Sequence, residues 1–178
     1  MIVAATLLLA AQGAALPPER VDSSQPIQVF IDVCANGGGR FAPDALQSVA
    51  ADAVPPAVRK LEKQAGSFVH YRLTGASEAY LSLPSGPRHD VCRVTAKDIR
   101  IAPAIEQVTG RTLTLSPGMS LYQLGAYRRI LCSGTIVKLS REGGFVMMEA
   151  RAPGTIPGDE APLALPTDCP PDSPVYRK

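Results

Sequence analysis

Apolar and polar positions alternate over residues 27–34, with Ile27, Val29, Ile31 and Val33 on one side and Gln28, Phe30, Asp32 and Cys34 on the other. That period of two predicts a strand ending at Cys34, and Asn36-Gly37-Gly38-Gly39 predicts a turn into a helix. Leu46, Val49, Ala50 and Ala53 then recur at helical spacing behind Pro43-Asp44-Ala45. Pro55-Pro56 must break that helix, because proline lacks the amide donor and crowds the preceding turn. Val58, Leu61 and Ala65 carry a second short helix to Gly66, so a bent or double helix is predicted over 43–65.

Three strand-like runs follow. Val69, Tyr71 and Leu73 share one side of 68–73, while Ala79, Leu81 and Leu83 form the inward side of the next run. Pro84-Ser85-Gly86-Pro87 is a turn, and 89–94 completes a meander with Cys92 and Val94 on one face. Residues 97–110 predict a further helix with Pro103 near its start, Ile105 and Val108 on one side and Gly110 as the stop. Strict alternation over 111–115 predicts a strand. A second meander is expected from 122–132, 136–140 and 145–151, the last two joined by Arg141-Glu142-Gly143-Gly144. This order predicts an α+β fold: an antiparallel sheet built from meanders, with two or three helices on one face and disulfide staples.

The ends of the chain read differently. Residues 1–15 form an uncharged apolar run closing in small residues, the pattern of an export signal peptide. A spanning helix needs about 20 apolar residues, which makes an N-terminal membrane anchor the alternative. Residues 16–26 read as a flexible lead-in, 27–151 as one α+β domain, and 152–178 as a tail. Seven prolines among the tail's 27 residues exclude a helix or a central strand there. The tail is either disordered or an extended arm pinned by Cys169.

Composition narrows the function. Among 178 residues, 17 prolines and 15 glycines argue for many turns, and a net charge of +2 gives no support for nucleic acid as a partner. The four cysteines, Cys34, Cys92, Cys132 and Cys169, lack the close spacing of zinc or dithiol redox motifs. In an oxidising compartment an even count points to two disulfides. Three pairings are open; Cys34–Cys92 with Cys132–Cys169 is favoured, since it joins two core strands and ties down the tail. A bridge closing such a loop stabilises by about 3–4 kcal/mol, less any strain.

No motif for catalysis stands out. The glycine turn before Arg40 lacks the spacing and the Lys and Ser/Thr of a phosphate cradle, and glycine's ordinary use is a tight turn. Arg40 remains a candidate for meeting an anion at a helix start. His70 and His89 are the only histidines. Either, with Asp32 or Asp90, is a candidate base for a hydrolase or transferase, or with Cys34 or Cys92 for thiol or metal chemistry. His70 is expected on a partly exposed sheet face, and lone histidines usually have structural partners. Arg88, Arg93, Lys97, Arg100, Arg128 and Arg129 are candidates for a basic patch that meets an acidic surface such as lipid headgroups or anionic glycans; a solvated rim is the ordinary alternative.

The apolar leader, Phe-x-x-x-Cys at Phe30–Cys34, and Cys-x-Val at Cys92–Val94 followed by a helix opening at Asp98 together resemble small uncharacterised exported envelope proteins of proteobacteria. The resemblance spans about residues 28–150 and implies a secreted α+β domain with Cys34 bonded to Cys92. It implies no activity, and Cys132, Cys169 and the tail lie outside it. The expected function is therefore an exported, non-catalytic binding or structural protein of the envelope, whose partner is an envelope protein or an anionic surface. No cofactor, metal or transmembrane span in the mature chain is expected.

Overall fold

The structure is a computed structural model that describes residues 25–36, 47–62, 68–73, 78–85, 90–111, 113, 126–152 and 163–177. One seven-stranded antiparallel sheet organises them: β1 (Gln47–Val49), β2 (Phe68–Arg72), β3 (Ala79–Pro84), β4 (Val91–Lys97), β5 (Ala126–Ile130), β6 (Ile136–Glu142) and β7 (Phe145–Arg151). The order across the sheet is β1-β2-β3-β4-β7-β6-β5. Two meanders meet where β4 pairs with β7 through all seven residues of each. The α+β fold read from the sequence is the fold observed.

Register explains the core. Tyr71, Leu81, Val94, Met148, Leu139 and Tyr127 stand opposite one another in one row across six strands. Side chains alternate along each strand, so this row and its even-numbered neighbours along β4 and β7 present a continuous apolar face. Two helices cover it: α1 (Gln25–Val29), which runs on into a π-helical turn at Phe30–Ala35, and α3 (Ile101–Thr109). Phe30, Val94, Leu81, Leu139 and Met148 are fully buried between these layers. Burying such a side chain contributes about 1.5–3 kcal/mol. The short α2 (Pro56–Leu61) lies on the opposite face, where Val54 and Val58 pack on Tyr80 and Phe145.

The predicted strand over 27–34 is helical instead. Pro26, Ile27, Phe30, Cys34 and Ala35 are buried, a spacing of three and four that only a helix delivers to one side. Pro26 sits in the first turn, where its missing amide costs nothing, and Gln28 Nε2 donates to Asp32 Oδ1 one turn later at 2.9 Å. The aliphatic alternation was a second period written over the helical one, and packing on the sheet selected between them. The last two residues of the expected lead-in, Gln25 and Pro26, belong to α1.

The helix predicted over 43–65 is also corrected. Residues 47–49 pair with β2 as an edge strand, Ala51–Ala53 form one 3₁₀ turn, and α2 begins at the predicted break, Pro56. Val54 and Pro55 hold extended backbone, with ψ of 133° and 142°, as residues before proline prefer. The chain there finds its hydrogen bonds in β2. Lys97 belongs to β4, and α3 starts only at Ile101. Asp98 does not open that helix but turns the chain at φ 61°, a left-handed conformation aspartate tolerates. Arg111 and Leu113, expected in a strand, lie outside any strand. Leu113 N donates to Glu106 Oε1 at 3.0 Å, which folds this segment back on α3.

Both favoured disulfides are present. Cys34–Cys92 joins the π-helical turn to β4, a helix-to-strand rather than a strand-to-strand staple, and Cys132–Cys169 fastens the tail. The described part of the tail, 163–177, is an arm with one 3₁₀ turn at Pro174–Tyr176. No helix among the described residues is long and apolar enough to cross a membrane.

Candidate functional site

The face of the sheet opposite α1 and α3 carries polar residues where an apolar row is expected. His70, Ser82, Arg93, Glu149, Lys138 and Arg128 stand opposite one another on β2, β3, β4, β7, β6 and β5. For Ser82, Arg93, Glu149 and Lys138 the strand neighbours on either side feed the main core. Ser82, Glu149, Arg93 and His70 are nevertheless buried, at 0, 1, 2 and 5% exposure. Glu62, the residue that caps the end of α2, reaches the same row from above.

Two linked networks result. Ser82 Oγ donates to Glu62 Oε1 at 2.6 Å and lies 3.0 Å from His70 Nδ1. Since the serine proton is committed to the carboxylate, Ser82 Oγ can only accept from the ring, which places a proton on His70 Nδ1. Glu62 Oε2 is 3.7 Å from that nitrogen. In the second network Arg93 Nε donates to Glu149 Oε2 at 2.6 Å, and Arg151 Nε donates to Glu149 Oε1 at 2.5 Å. The Arg93 guanidinium also lies 4.5 Å from the centre of the Phe68 ring, a cation–π contact, and reaches the Glu62 carbonyl at 3.5 Å. Glu62 and Glu149 balance Arg93 and Arg151 in charge, which is what allows four ionised groups to leave water together.

This arrangement ties the end of α2 to three strands. As a reacting group, Ser82 has Glu62 as its proton acceptor, and the imidazole serves it as a donor. That differs from a serine–histidine pair in which the ring removes the serine proton. Among the described residues no group of three or more His, Cys, Asp and Glu side chains is placed to hold a metal ion.

The residues singled out in the sequence do not converge. Arg40, Arg88 and His89 lie outside the described residues. His70 is buried, in contrast to the partly exposed setting expected for it, with Glu62 and Ser82 against its ring. Asp32 is exposed on the π-helical turn beside Gln28, and the Asp90 carbonyl accepts from Ala152 N at 3.0 Å. The carboxylate beside His70 is therefore Glu62.

The expected basic patch is likewise dispersed. Arg93 is consumed by Glu149 inside the protein, and Lys97 pairs with Glu78. Arg100 precedes α3. Arg128 and Arg129 are consecutive on β5 and so point to opposite faces; Arg129 meets Asp168 of the arm at 3.3 Å. Cys34, Cys92, Cys132 and Cys169 are all bridged.

Glu62, Ser82 and Glu149 belong to no catalytic or binding motif in the sequence. A signal was present for two of them. Ser82 and Glu149 are single polar residues inside the otherwise apolar runs Ala79–Pro84 and Phe145–Arg151, where burial obliges each to find a partner. Compared with protein-family models, curated proteins and solved structures, the chain matches none of them.

Proposed function

We propose that this chain is an exported, non-catalytic binding or structural protein of the cell envelope, acting on an envelope protein or an anionic envelope surface. The observation that carries the reading is the pairing of all four cysteines into two disulfides. Such bridges persist in oxidising compartments and are rare in a reducing cytosol. The apolar leader read at residues 1–15 fits the same address. Support for a binding role comes from the polar row, whose acid, base and hydroxyl groups are committed to one another beneath α2. In-cell crosslinking of the tagged chain, with export verified, tests this. One reproducibly captured envelope protein is the expected result, and recovery of monomer alone overturns a protein-binding role.

A second reading, an envelope hydrolase or transferase, is favoured by one contact only: Ser82 within hydrogen-bond reach of both His70 and Glu62. Replacing His70 by alanine separates the two. Retained cellular function with a normal level of folded protein removes the enzyme reading.

A further inference from the structure

The two disulfides differ in their surroundings. Cys34 and Cys92 are 4 and 3% exposed, sealed between the π-helical turn and β4. Cys132 is exposed in the turn between β5 and β6, and Cys169 is half-buried on the arm. Thiolate attack on a disulfide needs access, so a dithiol reaches the second bridge first. That bridge closes a separation of 37 residues and is the only covalent link between the arm and the turn before β6.

Little else described holds the arm. Over 163–177 only Pro166 and Ser173 are buried. Val175 N donates to Cys132 O at 3.2 Å, next to the bridge itself. Another polar link is Asp168, whose carboxylate sits between two arginines from separate elements. Arg129 comes from β5, at 3.3 Å, and Arg111 follows α3 and pairs with the other carboxylate oxygen. Their side chains are 27 and 43% exposed, and that of Asp168 is 30% exposed. Ion pairs this open stabilise by about 0–1 kcal/mol each, far less than the covalent bridge.

Among the described residues, the guanidinium groups of Arg111 and Arg129 both reach the one carboxylate of Asp168. Arginines converging from two elements match a carboxylate in charge. The arm that supplies the carboxylate is a proline-rich segment of bends and turns with exposed Leu165 and Tyr176. It has the form of a bound peptide that happens to be tethered.

We propose that Arg111 and Arg129 form a binding site for a carboxylate on an acidic, proline-rich segment of a partner, occupied in the closed protein by Asp168 and opened when a dithiol reduces Cys132–Cys169. This rests on the binding-protein reading above and names the chemistry of its ligand. In the opening step one thiol of the dithiol attacks a sulfur of the bridge and forms a mixed disulfide. The second thiol resolves it. Cys132 and Cys169 leave as thiols, and the dithiol is oxidised to its disulfide by the two electrons and two protons it gives up. The arm then exchanges freely with competitors, which the clipped form excludes by its high effective concentration.

The test uses the full chain carrying Asp168→Asn, so that the tethered carboxylate no longer competes. Limited dithiothreitol followed by alkylation and mass mapping defines which bridge has opened. The probe is a fluorescein-labelled synthetic peptide copying residues 163–177 with Cys169→Ser, read by anisotropy. Alkylation confined to Cys132 and Cys169, with saturable binding to the opened form, is expected. Affinity at least about tenfold weaker is expected for the closed form, for a probe carrying Asp168→Asn, and for a chain with Arg111→Ala and Arg129→Ala.

Equal binding in both redox states, binding in neither, or indifference to the probe's carboxylate overturns the proposal. So does opening of Cys34–Cys92 first. Far-UV circular dichroism confirms the sheet in each form. Capture of an envelope partner by the crosslinked chain, together with failure of the peptide to bind, removes this arginine site and leaves the broader reading standing.

Discussion

Arg93 and Glu149 stand directly opposite each other on β4 and β7, with Arg93 Nε 2.6 Å from Glu149 Oε2 and both side chains 2% exposed. They lie at the junction of the two meanders, so the pair belongs to the seam of the sheet. Removing one partner strands a charge in the interior. Glu149→Gln is expected to cost about 3–5 kcal/mol. Arg93→Met combined with Glu149→Gln removes both charges and is expected to cost markedly less than Arg93→Met and Glu149→Gln summed. Urea unfolding of the three variants measures the difference, and additive losses would refute a coupled buried pair.

The buried bridge makes a stability claim of its own. Cys34–Cys92 secures the helical layer to β4 across a separation of 58 residues. Replacing both cysteines by alanine is expected to cost about 2–5 kcal/mol. Replacing Cys132 and Cys169 by serine is expected to leave the unfolding of the sheet far less changed, because the arm adds little burial. Thermal unfolding followed by circular dichroism compares the two double variants.

The β6–β7 turn distinguishes two adjacent glycines. Gly143 and Gly144 take φ of 53° and 83°, the pair of positive values that a two-residue hairpin favours. An added Cβ at Gly144 meets nothing within 4 Å, whereas at Gly143 it lies 3.1 Å from Ala57 Cβ on α2. Gly144→Ala is therefore expected to cost about 1–2 kcal/mol from backbone strain alone. Gly143→Ala is expected to cost more, since it also presses on α2. A smaller loss at Gly143 than at Gly144 in urea midpoints would contradict the packing described.

Lys97 gives the chain an alkaline response. Its Nζ lies 2.9 Å from Glu78 Oε2, and the hydrogen bond it donates to Glu78, then that carboxylate's charge, raises the ammonium pKa above its ordinary 10.5. A group whose pKa is raised on folding contributes fully below its unfolded value and loses that contribution as pH rises through the folded one. A small decline in stability is expected as pH rises past the ordinary lysine value of 10.5, and Glu78→Gln is expected to abolish it. Urea midpoints taken through that range, for the parent and the variant, provide the check.

Much of this architecture was legible because its signals are local. Proline and glycine set the turns, the break at Pro55-Pro56 and the left-handed end of α3 at Gly110 whatever else the chain does. Alternation in 68–73, 79–83 and 145–151 needed only one buried face to make strands, and an even set of four widely spaced cysteines asked for two bridges. The 27–34 segment lay beyond such reasoning. Its apolar residues satisfy both the strand and the helix period, and the choice was made by the sheet face on which Phe30 and Cys34 are buried. The polar row was hidden for a related reason. His70, Ser82, Arg93, Glu149 and Glu62 come from five separate segments, and their meeting depends on strand order and register, which no single segment encodes. Asp168 reaches Arg111 and Arg129 only because the disulfide folds the arm back. Local preference thus wrote the elements, while long-range pairing and burial selected which face each one shows and which charges come together.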